Sequence, residues 1–282
     1  MGRITTQHPQ VSTRQQCSWL HLRRSSVYRR RQYKAEEARR QADECAMALL
    51  RKTRQEHLCW GFRLIYAYLR TQGALIARRR AYRLYRLADL SLHRTPKKPR
   101  IKRIFQELLP PAQINEGWAM DFVSEWIIGP QQQSVRLINV VDECSRKDLW
   151  VEAAHSIKAA KLSEVLDHII QMRGQPAYIR CDNGPEFISE HLKGWAEGKN
   201  ITLRFIQPGK PTQNGIVERL NGTLRKECLN LHWFHSLDEL NERLGHWFKT
   251  YNFDRPHSSL DYLTPHQFEI QNQNLYLKVV AA

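Results

Sequence analysis

Three acidic residues have the type and spacing that phosphoryl-transfer chemistry requires. Asp121 interrupts the apolar run at residues 118–123, where a buried carboxylate is costly unless a cation or hydrogen-bond donors stabilise it. Asp182 follows a short predicted strand at residues 178–181, and functional residues often lie at strand ends. Glu218 lies one turn into a predicted helix. Each alone is more often a surface charge or a helix cap, so the interpretation rests on all three together.

Carboxylates from two strands and a helix suit hard divalent cations, which prefer oxygen ligands and keep positions open for water and phosphate. Two such ions about 4 Å apart can hold the attacking and leaving oxygens of an in-line displacement at phosphorus. At 100° per residue, Glu218 shares one helix face with Asn221, Gly222 and Arg225, and the apolar residues occupy the opposite face. We therefore expect Asn221 and Arg225 to contact DNA.

The elements that position these residues follow an α/β order after residue 110. Apolar runs at 118–128, 134–141 and 148–153 predict an antiparallel meander, with Gly129-Pro130 between the first two. A helix at 159–172, a strand at 178–181, a helix at 189–197 and a strand at 202–206 come next. A Pro/Gly loop at 207–214 then precedes the helix of Glu218, and Ser236 with Glu239 predicts a capping box for a final helix.

The loop at 207–214 is interpreted as a DNA contact through its polar side chains, with a simple connector as the alternative. The residues concerned are Lys210, Gln213 and Asn214. At the end of the second strand, Asp142 is either a turn residue or a group that orients Arg146 or a metal-bound water, and the turn is favoured. In the segment 251–260, either Arg255 and His257 touch nucleic acid, or Tyr251, Pro256 and Leu260 pack against the core.

The first 110 residues carry the positive charge of the chain. They hold 26 Lys and Arg against 7 Asp and Glu, whereas the remaining residues hold 18 against 21. Such a segment releases counterions when it meets a polyphosphate, which favours nucleic acid as a partner. Helices are predicted at 13–20, from Ser25 or Ser26 to Arg31, at 61–71 and at 77–87, in two helix-turn-helix-like pairs. The last helix would present to DNA the arginines Arg78, Arg79, Arg80 and Arg83, with plain structural hairpins as the alternative for both pairs.

Composition excludes other classes of protein. No apolar run approaches the roughly 18 to 20 residues of a membrane span, so we expect no membrane association and a cytoplasmic, nucleoid-associated location. The six cysteines contain no C-x-x-C pair, which argues against a disulfide framework or a zinc module.

Several motifs together resemble one known family, and thirty-five residues separate Asp182 from Glu218. The motifs are Trp118-Ala-Met-Asp-Phe, Asp142-Glu-Cys-Ser-Arg146, Asp182-Asn-Gly-Pro-Glu-Phe187, Gln213-Asn-Gly215, Glu218-Arg-Leu-Asn-Gly-Thr-Leu-Arg225, Tyr251-Asn-Phe-Asp-Arg-Pro-His-Ser-Ser-Leu260 and Thr264-Pro265. They are similar to the second-reading-frame (OrfB) transposases of the insertion-sequence-three family, whose Asp-Asp-Glu core resembles that of retroviral integrases. The resemblance runs from about residue 12 to residue 268.

The resemblance implies a ribonuclease H-like integrase core, a mixed five-stranded sheet flanked by helices, preceded by an all-helical helix-turn-helix region. It implies catalytic and metal-ligating roles for Asp121, Asp182 and Glu218, with two Mg²⁺ ions, Mn²⁺ as a substitute, and no zinc. The reaction would be cleavage at transposon ends followed by strand transfer, without a covalent enzyme intermediate. The expected partners are terminal inverted repeats and target DNA, further copies of this chain, and the product of the upstream reading frame.

We expect three regions: a basic helical DNA-binding region with linker at 1–110, a catalytic core at 111–270 and a tail at 271–282. Two other functions are compatible with the sequence. One is a catalytically idle regulator that only occupies transposon ends, and the other is a nuclease without joining activity. In this family a polar capping residue usually precedes the second basic helix, and Ile76 occupies that position in this chain, which weakens the assignment of a DNA-reading role to that helix.

Overall fold

The computed structural model describes residues 12–92, 111–129, 132–206 and 214–273. The chain divides into two compact units. The first holds the described residues up to Glu56 together with Leu75–Ser91, and the second holds His57–Ala74 and the described residues from Leu92 onward. The boundary expected at residue 110 and most of the expected tail lie outside the described residues.

The first part of the chain is helical, as expected. It contains α1 (Thr13–Trp19), α2 (Arg24–Glu56), α3 (Phe62–Thr71) and α4 (Arg78–Leu87), of which α3 belongs to the second unit. The short helix expected from Ser25 or Ser26 to Arg31 is wrong, because α2 continues for 33 residues. No glycine or proline interrupts it, and strong helix formers fill its second half. None of the described helices is long and apolar enough to cross a membrane.

A mixed five-stranded sheet lies in the second unit, with strand order β3-β2-β1-β4-β5. Its strands are β1 (Gly117–Ile127), β2 (Gln133–Asp142), β3 (Asp148–Ala154), β4 (Tyr178–Cys181) and β5 (Thr202–Phe205). The first three strands form the predicted antiparallel meander. In contrast, β4 pairs in parallel with both β1 and β5. The alternation of elements thus produces the α/β sheet that the sequence predicts.

Helices cover both faces of this sheet. They are α5 (Ala159–Arg173), α6 (Glu190–Gly198), α7 (Gly215–Glu227), α8 (Leu237–Lys249) and α9 (Pro265–Gln271), with short turns of helix at Leu229–Leu231, Thr250–Asp254 and Ser258–Leu260. The capping box expected at the start of α8 is only half formed. Ser236 Oγ accepts from the Glu239 N–H, but the Glu239 carboxylate accepts from the N–H of His235 instead of that of Ser236.

Two apolar clusters, one on each face of the sheet, determine which side chains of β1 meet which helix. Ala119, Val123 and Ile127 belong to the cluster formed with α7 and α8. Trp118 and Met120 belong to the cluster formed with α5 and α6. Because side chains alternate along a strand, Asp121 shares the face of Ala119 and Val123, on which α7 packs.

Candidate active site

Asp121 lies in the middle of β1 and is partly buried. Its Oδ1 accepts from the Phe122 N–H at 2.8 Å, and its Oδ2 accepts from Asn221 Nδ2 at 2.8 Å. Burial raises the pKa of Asp121 to about 6, and the negative charges of Asp182 and Glu218 raise it further despite these two donors. The three predicted carboxylates are therefore close enough to influence one another electrostatically.

Asp182 directly follows β4, where the chain leaves the sheet. In the parallel pairing of β1 with β4, Ala119 lies opposite Arg180. Asp121 and Asp182 each come two residues later, so the register carries both carboxylates to the same level of the sheet. The Gly184 N–H donates to Asp182 Oδ1 at 2.8 Å and fixes the turn after the strand. A Cβ at position 184 would lie 3.0 Å from that same oxygen.

Glu218 is exposed in the first turn of α7, and partial burial raises its pKa above the usual value. The helix is held by Val217, Leu220 and Leu224, which are buried against the sheet. Since Glu218 follows Val217 directly, the rotation that buries Val217 places Glu218 beside the buried face, at its solvent edge. This is the position from which the Glu218 carboxylate acts on Asp121.

The chemistry of the three carboxylates fits a divalent ion. All of their donors are hard oxygens, and a cation would relieve the repulsion by Asp182 and Glu218 that adds to burial in raising the pKa of Asp121. Among the residues that the structure describes, no group of three or more His, Cys, Asp and Glu side chains is close enough to hold one metal ion. The set is thus suited to a metal by type, although its oxygens do not converge on one point as they stand.

Asn221, which the sequence assigned to DNA, has little exposure in the structure. Its side chain is 8% exposed, and it connects the Asp121 carboxylate with Asn139 of β2, whose Nδ2 donates to Asn221 Oδ1. Asn139, which was not among the predicted site residues, is fully buried and stands directly opposite Asp121 in the antiparallel pair. The signal was available, because Asn139 interrupts an apolar strand in the same way as Asp121 does.

Arg225 and Asn214, which were also predicted to contact DNA, both contact β1 in the structure. Arg225 is partly exposed, donates to the Ser124 carbonyl at 3.0 Å and lies 3.7 Å from the Glu125 carboxylate. Asn214 is buried, and its Nδ2 donates to the Met120 carbonyl at 3.4 Å. Lys210 and Gln213 lie outside the described residues.

Of the four arginines predicted on α4, two form ion pairs with Asp43 and two are exposed to solvent. In the first unit, Arg80 Nε donates to Asp43 Oδ1 at 2.7 Å and Arg83 donates to Asp43 Oδ2 at 2.5 Å. These two guanidinium groups lower the pKa of Asp43. Arg78 and Arg79 are exposed in the first turn of α4.

Comparison with known proteins places the chain in a family. It is 34% identical over 263 residues to an uncharacterised 31.7 kDa protein of insertion element IS407 from Burkholderia multivorans, a match that covers 93% of this chain and 92% of the relative. It is 24% identical over 223 residues to transposase InsD of insertion element IS2 from Escherichia coli, covering 74% and 73%. The chain belongs to the insertion-sequence-three family of transposases. This transposase is a polynucleotidyl transferase of the OrfB type, as its motifs predicted.

Further matches agree with this assignment. Two integrase core domain families match residues 111–211 and 199–265 of the transposase. A protein of insertion element IS476 from Xanthomonas euvesicatoria is 35% identical over 227 residues, covering 80% of the transposase and 65% of the relative. A chain of the simian T-cell lymphotropic virus intasome, solved in complex with PP2A regulatory subunit B56 gamma, has a TM-score of 0.51 at 21% identity, covering 77% and 73%. At that identity the likeness concerns the fold, and it confirms the predicted integrase-type core.

Polar motif residues outside the acidic trio have structural partners in the transposase. Asp142 is fully buried and accepts from the backbone N–H groups of Asn115, Cys144 and Ser145 at 2.6 to 3.0 Å, so the predicted turn role is confirmed. In the segment after α8, Arg255 contacts Glu227 through both carboxylate oxygens. His257 is 8% exposed, which favours the packing alternative for this segment over DNA contact.

Proposed function

We propose that this transposase cuts DNA at the ends of its insertion element and joins the freed ends to target DNA, with Asp121, Asp182 and Glu218 as the catalytic, metal-holding residues. One observation carries the assignment. The β1–β4 register and the packing of α7 bring Asp182 and Glu218 near Asp121, and their negative charges add to burial in raising the pKa of Asp121. Separate elements of a fold rarely place three negative charges together without a cation to share.

The chain's own residues would bind the ions and orient them. Asp121 is fixed by hydrogen bonds to both of its oxygens, Asp182 by the Gly184 N–H, and Glu218 by the packing of α7. Bound Mg²⁺, or Mn²⁺ in its place, would supply a charge that activates the attacking oxygen and stabilises the leaving one. In cleavage, water forms the new bond to phosphorus and the 3′ oxygen leaves as a hydroxyl. In strand transfer, that hydroxyl attacks a target phosphodiester, so each step exchanges one P–O bond for another.

Binding of DNA would fall largely to the first unit. The described part of α2 and the exposed arginines Arg78 and Arg79 present cationic side chains that attract the phosphate backbone independently of sequence. We extend this proposal to Arg225 and to Lys210, Gln213 and Asn214 at the entrance to α7. Because two element ends must be joined in one reaction, we also propose that several copies assemble on nucleoid DNA, alone or with the upstream-frame product.

Conservative changes of the three carboxylates test the proposal. Asp121→Asn, Asp182→Asn and Glu218→Gln should each reduce Mg²⁺-dependent cleavage of labelled element ends below detection, because each removes an anionic ligand. Affinity for the same DNA should stay within a few-fold. Glu190→Gln is the matched control, since Glu190 is an exposed acidic residue on α6 that pairs with its helix neighbour Lys193. Retention of cleavage in two of the three variants would overturn the assignment.

The same assay separates the two alternative functions. A regulator that only occupies ends would bind them without nicking, and a nuclease without joining activity would yield cut ends but no joined product with a supercoiled target plasmid. We expect both cut and joined products from the unaltered chain, and loss of both in the Asp121 variant.

A further inference from the structure

Two buried asparagines connect the strand that carries Asp121 with the helix that carries Glu218. Asn139 lies directly across the antiparallel pair from Asp121, and Asn221 of α7 contacts both side chains. Asn139 is 0% exposed and Asn221 is 8% exposed. A buried amide normally needs hydrogen-bond partners, so the contacts define how this small network must be oriented.

The direction of the hydrogen bonds follows from what each group can donate. An ionised carboxylate only accepts, so Asn221 must turn its NH₂ group toward Asp121 Oδ2. The Asn221 oxygen then faces away and needs a donor, which Asn139 Nδ2 provides. If Asn139 could not donate, the Asn221 amide would lose the partner that prevents it from turning its oxygen toward the carboxylate.

We propose that Asn221 and Asn139 are positioning residues of the transposase, with Asn221 orienting the Asp121 carboxylate and Asn139 orienting Asn221. This inference rests on the proposed catalytic role of Asp121. Asn221 lies three residues after Glu218 on the same helix, so its bond to Asp121 also fixes the spacing between two of the three carboxylates. The role replaces the DNA contact expected from the sequence, because both polar groups of Asn221 are already engaged below the surface.

The prediction concerns the rate of chemistry more than DNA affinity. Groups that orient metal ligands typically contribute about 10- to 100-fold to activity or metal affinity. Asn221→Ala should therefore lower the single-turnover cleavage rate and the affinity for Mn²⁺, titrated into the protein alone by calorimetry, by about 10- to 100-fold. The Kd for element-end DNA, measured without divalent ions, should stay within about threefold of the wild-type value, because no DNA contact is removed. Asn221→Asp, which keeps the size but turns an acceptor toward Asp121, should lose at least as much activity.

A double variant tests whether the two asparagines act in series. Asn139→Ala should lower the cleavage rate by about tenfold, and Asn139→Ala/Asn221→Ala should cleave no more slowly than Asn221→Ala alone, because Asn139 acts only through Asn221. The matched control is Asn241→Ala. Asn241 also connects a helix to a strand by two hydrogen bonds, at 2.8 and 3.0 Å to the backbone of Ala153. The Asn241→Ala variant should lower the Tm about as much as Asn221→Ala does, but its cleavage rate should stay within twofold of the wild-type rate.

The outcomes distinguish this inference from the proposed function. Loss of cleavage with Asp121→Asn but wild-type cleavage with Asn221→Ala would overturn the positioning role alone. Unimpaired cleavage with Asp121→Asn would instead remove the catalytic role of Asp121 on which this inference rests. A DNA Kd weakened as much as the cleavage rate would make Asn221 a DNA contact, and a double variant whose loss equals the product of the two single losses would show that Asn139 acts independently. Either result would contradict the proposed positioning of Asp121 by Asn221 and of Asn221 by Asn139.

Discussion

Gly117 provides a sharp test of how β1 and β4 are held together. In the parallel pairing it stands opposite Tyr178, and the Tyr178 ring lies across the position that a Cβ at residue 117 would occupy. That Cβ would be 2.6 Å from Tyr178 Cε1 and closer still to Tyr178 Cζ and the hydroxyl oxygen, which real structures essentially never show. Gly117→Ala must therefore displace the ring.

The displacement has two energetic consequences. Overpacking a buried site costs about 1 to 3 kcal/mol. The ring is buried, and its hydroxyl donates to Glu143 Oε2 at 2.6 Å, a bond that the shift would break. Leaving a buried carboxylate without such a donor costs roughly 1.5 to 3 kcal/mol. Together the two effects predict that Gly117→Ala lowers the free energy of unfolding by about 2.5 to 6 kcal/mol.

Urea unfolding followed by tryptophan fluorescence measures this change. Seven of the eight tryptophans lie in the second unit, so the signal reports mainly on the sheet that contains Gly117. A shift of the midpoint at constant slope converts to a free-energy difference. The Tyr178→Ala background supplies the control, because removal of the ring leaves room for the added methyl group. There, Gly117→Ala should change stability by less than about 1 kcal/mol in either direction.

The comparison between backgrounds decides the question. If Gly117→Ala cost the same with and without the Tyr178 ring, the two changes would be additive and the steric argument would be wrong. The same result would mean that the Tyr178 ring is not what requires a glycine at the start of β1.

Three further predictions follow from the described contacts. Burial lowers the pKa of His257 to about 3, so between about pH 6.5 and pH 3 the unfolded chain binds a proton at this residue and the folded chain does not. The free energy of unfolding should therefore decrease as the pH is lowered from about 6.5 to 3, and it should decrease less steeply in His257→Gln, as urea midpoints measured across this range will show. Gly184→Ala places a Cβ 3.0 Å from Asp182 Oδ1 and should slow single-turnover cleavage several-fold while DNA affinity is unchanged; an unaffected rate would contradict this. Asp43→Asn releases the two paired arginines of α4 and should steepen the salt dependence of DNA binding by about one to two units in log Kd against log salt, whereas an unchanged slope would exclude these arginines from the DNA interface.

The sheet could be predicted from sequence because its signals are local. Apolar runs marked β1 and β2, and Gly174, which adopts a φ of 85°, marked the end of α5. The length of α2 could not be obtained in this way. Its polar, weakly periodic sequence gives no apolar stripe to follow, and Ser25 and Ser26 resemble helix caps although they lie inside the helix.

The candidate site was only partly predictable, because its hydrogen bonds join residues far apart in the chain. The acidic trio could be identified from residue type and spacing, but the environment of Asn221 could not. A helical wheel places Asn221 beside Glu218 on a polar face, whereas α7 packs closely enough against the sheet to bury it with Val217 and Leu220. Asn139 gave a signal as strong as that of Asp121, but an amide in a strand has many neutral explanations, and only the register shows that it faces a carboxylate.

Two packing features of the fold thus set the geometry of the candidate active site. The short parallel pairing of β1 with β4 brings Asp121 and Asp182 to one level of the sheet, and the apolar face of α7 determines where Glu218 lies. The face of β1 that carries Asp121 is also a core face, so the packing that stabilises the fold is what desolvates the carboxylate and raises its pKa. A donor on α7 is then required to keep that carboxylate ionised and oriented, and Asn221 is the residue at that position. For this reason, a change at Asn221 should lower the cleavage rate by more than one would expect from the stability that its two hydrogen bonds contribute.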